Sequence, residues 1–221
     1  MRISKISYIA LVVFIAEVFG SGASFQEVPL IIGAYTLHGG QWQIGFGIGF
    51  PLRSPEYWAS SGSLAYGITD RLQAALGVGY GRLSGPSPYY SSYSLSGKLR
   101  WSFSKNFDFA FPISVSFLDI GAGTSLSGIY SGVVFTMKTG LGFTLHGGWG
   151  LGYSKTGFYF GSPYGMVDVD VSPTAKIVAE FSFRPISISV NLWLRTLNFL
   201  DLAFSFGPLS LWLGLAVYIR F

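Results

Sequence analysis

The sequence predicts an all-β fold, a transmembrane antiparallel up-and-down β-barrel of about 12 strands, with 10 or 14 as the alternatives. Three observations lead there. Apolar residues recur with period two over most of the chain, the periodicity of a strand whose successive side chains face opposite ways. The ionisable residues within those runs fall on the face opposite the aromatic and aliphatic one. Only 11% of the 221 residues are charged, whereas 50% are hydrophobic and 18% aromatic. A soluble domain carries about 25% charged residues, so much of this surface must face lipid.

Residues 1–23 read as a secretory signal. Arg2 and Lys5 supply the positive start, Ile6 to Ala16 the apolar stretch, and Ser21-Gly22-Ala23 the small residues a signal peptidase tests. Cleavage is expected before Ser24, and the apolar run is too short to span a bilayer comfortably as a helix. Residues 24–40 are expected to form a periplasmic lead-in ending at His38-Gly39-Gly40. A strand over 29–37 would make the count odd and put the N-terminus on the wrong side.

The barrel is expected to occupy 41–221, with strands at 41–52, 57–69, 71–83, 92–104, 107–118, 128–138, 141–153, 158–172, 175–184, 186–196, 199–206 and 209–221. In the first, Trp42, Ile44, Phe46, Ile48 and Phe50 alternate with Gln43, Gly45, Gly47 and Gly49. In the third, Leu72, Leu76, Val78 and Tyr80 alternate with Gln73, Ala75, Gly77 and Gly79. In the fifth, Phe107 to Phe117 alternate with Asp108, Ala110, Pro112, Ser114 and Ser116. Glycine, serine, β-branched and aromatic residues at this density also disfavour helix. The eighth strand carries Pro163 and the eleventh is short. Tight polar or proline turns at Thr69-Asp70, Ser104-Lys105-Asn106, Ser172-Pro173-Thr174 and Leu197-Asn198 alternate with longer links. That asymmetry fits periplasmic turns and extracellular loops.

The charges choose the inner side. Lys98, Arg100, Asp108, Lys138, Asp168, Asp170, Lys176, Glu180, Arg184, Arg195, Asp201 and Arg220 all take the parity opposite the apolar set. A lysine or arginine facing lipid at the midplane costs about 2–4 kcal/mol, so this parity is expected to line the lumen. A soluble sandwich would reverse the pattern. A helical bundle has its best case in Leu202 to Ile219, but Pro208 interrupts that stretch and its flanks alternate.

The last strand reads Leu211-Trp212-Leu213-Gly214-Leu215-Ala216-Val217-Tyr218-Ile219-Arg220-Phe221. Apolar residues stand at every second position back from a terminal phenylalanine. This resembles the C-terminal signal of bacterial outer-membrane β-barrel proteins. The resemblance implies an outer-membrane location, surrounding lipid as one partner, and recognition of Val217, Ile219 and Phe221 by the barrel assembly machinery. Ile219 stands where the superfamily usually has an aromatic. Tyr35 to Trp42 and Tyr66 to Leu72 also look like the lead-in and a periplasmic hairpin of some uncharacterised transporter-like barrels.

Motifs for chemistry are sparse. With no cysteine there is no disulfide, thiolate metal site or cysteine nucleophile. Two isolated histidines make no metal site. His146 lies on the lumen parity among glycines, where a hydrogen-bonded lumen histidine is the favoured reading and a hydrolase histidine the lesser one. His38 is expected to be exposed in a turn. Gly45, Gly47 and Gly49 alternate strictly and lack the following lysine and helix of a phosphate loop. No catalytic, cofactor or metal site is expected, and the scattered charges, net +4, suggest no nucleic-acid partner. The expected function is a narrow passive channel for small solutes or ions, with a structural or interaction barrel as the alternative and a barrel lipid hydrolase less favoured.

Overall fold

The computed structural model describes residues 34–52, 58–82, 89–119, 125–154, 157–160, 164–172, 174–183, 186–197, 200–207 and 212–221. The expected signal peptide and residues 24–33 lie outside that set. Among the described residues there are thirteen strands: β1 (Trp42–Pro51), β2 (Trp58–Thr69), β3 (Leu72–Arg82), β4 (Tyr89–Ser104), β5 (Phe107–Asp119), β6 (Ser125–Lys138), β7 (Phe143–Ser154), β8 (Gly157–Phe160), β9 (Tyr164–Ser172), β10 (Ala175–Phe183), β11 (Ile186–Leu197), β12 (Leu200–Gly207) and β13 (Trp212–Arg220).

Except at β8–β9, each strand pairs antiparallel with the strand that follows it, and β13 returns to β1 from Gln43↔Arg220 to Pro51↔Trp212. Strand β7 pairs with β8 over Leu151–Ser154 and with β9 over Phe143–Gly148. The two short strands therefore share one position, and the described strands close a ring of twelve positions; Pro163 lies outside the described residues. Closure extends to the chain end, where Trp42 and Phe221 exchange two backbone hydrogen bonds of 2.8 and 3.1 Å.

The turns at one end are fixed by hydroxyl side chains. Thr69 Oγ1 accepts from the N–H groups of Arg71 and Leu72. Ser104 Oγ accepts from the N–H of Asn106, and Ser172 Oγ from that of Thr174. Between β6 and β7, Thr139 plays this part while Gly140 and Gly142 adopt φ of 73° and 84°, which L side chains rarely enter. Register shifts at Gly67/Thr69, Ser102/Ser104 and Ala175/Lys176 add one residue beside three of these turns and increase the local twist.

The outward face is apolar. Phe46 is 58% exposed, Leu76 54% and Leu95 56%. Aromatic rings flank this aliphatic band. Trp42 meets Tyr66 at the turn end, with ring centroids 4.4 Å apart. Trp58, Tyr80 and Tyr89 cluster at the loop end, at 5.6 and 5.9 Å. Tyr66 and Trp58 stand eight residues apart on β2, about 27 Å along the strand and about 20 Å in height at the usual barrel tilt, near the thickness of an outer-membrane apolar band. The buried polar set lies inside: Gln43, Gln73, Lys98, Asp108, Thr136, His146 and Asp168. Polar-in and apolar-out is the arrangement of a barrel in lipid.

Candidate functional site

The inward residues nearest the tight turns form a charged ring. Arg100 Nη2 on β4 donates to Asp108 Oδ2 on β5 at 2.9 Å. Lys176 on β10 donates to Asp168 on β9 and lies 3.6 Å from Asp170. Arg220 Nε on β13 donates to Gln43 Oε1 on β1 at 3.2 Å. These are cross-strand pairs created by the common inward parity, and each partner offsets the desolvation of the other.

A second string runs deeper. Thr136 Oγ1 on β6 lies 2.8 Å from His146 Nδ1 on β7, and His146 Nε2 lies 3.6 Å from Asp168 Oδ1. The carboxylate near Nε2 favours the proton there, leaving Nδ1 to accept from the Thr136 hydroxyl. Hydroxyl, imidazole and carboxylate in line resemble a hydrolytic triad. Here, however, the hydroxyl is buried and also accepts the N–H of Ala34 at 2.8 Å. The string anchors a chain segment and presents no accessible nucleophile.

Of the lead-in expected over 24–40, residues 34–37 pack inside the barrel at the tight-turn end, and 38–40 are exposed at its rim. Ala34 is fully buried with Ala110 and Val134, and Leu37 packs with Ala65 and Ala75. Lys98 Nζ donates to the Tyr35 carbonyl, and Leu37 N–H donates to Gln73 Oε1. The Tyr35 ring lies edge-on to His146 at 5.6 Å, with Arg100 and Lys138 at 5.8 and 5.9 Å from its centre. The physical reason is space. Inward positions of the wall are mostly glycine, serine and alanine, and a short segment with Ala34 and Leu37 fills what they leave.

His38 is exposed, as expected, 3.4 Å from Asp70. The Gly39 N–H first, and His38 second, hold the Asp70 carboxyl below its ordinary range. Gly67 lies so close beneath the segment that a Cβ there would meet the His38 carbonyl oxygen.

The structure brings together Lys98, Arg100, Asp108, Lys138, His146, Asp168, Asp170, Lys176 and Arg220. Lys98 donates to the Tyr35 carbonyl. Arg195 and Asp201 are register partners on β11 and β12. Their side chains and that of Glu180 lie outside the described set, as does all of Arg184. Sequence reasoning did not single out Tyr35, Gln43, Gln73 and Thr136. Gln43 and Gln73 did break the glycine pattern on the inward parity, which was their available signal. Toward the loop end the inward positions become neutral, with Ser61, Ser63, Ser94, Ser96, Ser114 and Ser116, and the Tyr130 ring rests against Gly150.

No protein-family model matches the sequence, and no curated protein matches it. Solved structures do. The KdgM porin superimposes with a TM-score of 0.61 at 9% identity, over 81% of this chain and 98% of that one. An outer membrane channel from Pseudomonas putida F1 gives 0.59 at 11% identity, over 85% and 98%. The outer membrane phospholipase A from Escherichia coli gives 0.50 at 11%, over 81% and 92%. The fold is that of the bacterial outer-membrane β-barrels, an architecture that hosts both channels and a lipid hydrolase.

Proposed function

We propose that this protein is a narrow passive channel of the outer membrane for small solutes or ions. The observation that carries the reading is the polar inward parity of the described side chains within a closed ring of strands whose outward face is apolar. Porin and channel neighbours at this TM-score are consistent with it. Among the described inward-facing strand side chains five are basic, Lys98, Arg100, Lys138, Lys176 and Arg220, and three acidic, Asp108, Asp168 and Asp170. Fixed positive excess raises the local concentration of anions, so a slight anion preference is expected. Assembly is expected to depend on the terminal strand, read by the barrel assembly machinery through Phe221, Ile219 and Val217.

A closed structural barrel is the second reading, favoured by residues 34–38 in the mouth. Purified protein in a planar bilayer separates the two. Discrete conductance steps support the channel. Their absence, in wild type and in a variant lacking residues 34–38, leaves the structural barrel.

A further inference from the structure

The wall reads the main chain of the segment in its mouth. Thr136 Oγ1 on β6 takes the Ala34 N–H at 2.8 Å, and Lys98 Nζ on β4 reaches the Tyr35 carbonyl at 3.1 Å. Gln73 Oε1 on β3 takes the Leu37 N–H at 3.0 Å, and Asp70 Oδ1 in the β2–β3 turn takes the Gly39 N–H at 2.9 Å. Three of these four wall residues, Thr136, Lys98 and Gln73, are buried. Main-chain groups of residues 34, 35, 37 and 39 therefore meet side-chain groups placed to receive them.

The segment is not a stave of the sheet. Among the described residues its backbone bonds to the wall begin only at Gly40, whose N–H meets the Gly67 carbonyl. The β1–β13 ladder closes the barrel without it. Gly40, at φ 83°, supplies a pivot between the segment and β1. Departure would break side-chain hydrogen bonds and two small apolar contacts, and leave the ring of strands intact.

We propose that this mouth is a built binding site for a short non-helical peptide segment, filled at rest by the chain's own residues 34–39 and vacated without unfolding of the barrel. Recognition runs through the main chain. Side-chain selection is confined to a small residue at position 34, an aromatic at 35 between two cations, and an aliphatic at 37. The effect on conductance rests on the channel reading: departure of the Tyr35 ring clears the space between Arg100, Lys138 and His146.

The chain has no cysteine, so Ala34→Cys provides a unique reporter. Its reaction with a membrane-impermeant maleimide is followed in the folded barrel, alone and with Thr136→Val plus Gln73→Leu. The reporter alone should react slowly, and the weakened variant at least tenfold faster, with unchanged heat-dependent gel mobility. Equal rates in the two forms would overturn the proposal. If the weakened variant does not fold, an Ala34→Cys/Val134→Cys pair decides. Oxidation should cross-link the folded barrel and lower its conductance relative to the reduced form, and failure to cross-link overturns the site. Faster labelling of the weakened variant with no conductance in any form would uphold the site and remove the channel reading.

Discussion

Leu76→Arg puts the lipid-facing assignment to a quantitative test. Leu76 stands near the middle of β3, level with Leu64 on β2 and Leu95 on β4. The aromatic rings at Tyr66 and Tyr80 lie toward opposite ends of the same wall. An arginine at that height belongs at the bilayer midplane, where it costs about 2–4 kcal/mol, or roughly 30- to 800-fold in the folding equilibrium. Ser116→Arg is the control. Ser116 takes the inward parity of β5, in the solvent-accessible loop half of the lumen, opposite Ser94 and Gly128. There the same side chain reaches water, and the expected cost is below about 1 kcal/mol. Denaturant titration in lipid vesicles, followed by tryptophan fluorescence and gel mobility, measures both. Equal costs for the two arginines, or a stabilising Leu76→Arg, would refute the assignment of faces.

Mass spectrometry of membrane-derived protein should find a mature chain starting at Ser24, and an intact Met1 would rule out the export reading. Deleting Phe221, or replacing it with aspartate, removes a terminal apolar residue and, in the deletion, the backbone pair with Trp42. Either variant should lower the folded amount in the outer membrane, and normal assembly of both would show the terminal pattern to be incidental. The Asp70 carboxyl lies below its ordinary range because its ionised form accepts the Gly39 N–H and faces His38. A depressed folded value means that this contribution is present above the unfolded value and is lost as pH falls through the folded one. The Gly39 amide resonance should therefore shift with a midpoint below the ordinary carboxylate value and lose the transition in Asp70→Asn. A midpoint at or above that value would contradict the contact.

Much of the fold was legible because a lipid-facing barrel constrains every second residue. Trp42 to Phe50 and Phe107 to Phe117 could alternate in only one way, and Asp108 and Lys98 fixed which parity was wet. The turns announced themselves through Thr69-Asp70 and Ser104-Lys105-Asn106. The lead-in was not legible. Residues 34–38 carry no period and form no strand, and their place depends on Thr136, Gln73 and Lys98, which lie 36–102 residues away in sequence. Glycines 45, 77 and 150 make room for Ser63, Ser94 and Tyr130, and Gly67 makes room for the segment, but a glycine in the sequence does not name what fills its space. Lys98 was assigned to the inward face, but its bond to the Tyr35 carbonyl was not legible, since parity gives a direction and only packing gives a contact.

The reversal potential of wild type and Lys138→Glu under a salt gradient tests the central claim, a conducting lumen lined by these charges. Lys138 stands at the end of β6, exposed in the mouth beside the Tyr35 ring. The account predicts discrete conductance with a small anion preference in wild type and a shift toward cations in the variant, with unchanged heat-modifiable mobility. Conductance with identical reversal potentials would place Lys138 off the path. Silence in both, persisting when residues 34–38 are removed, would contradict the channel.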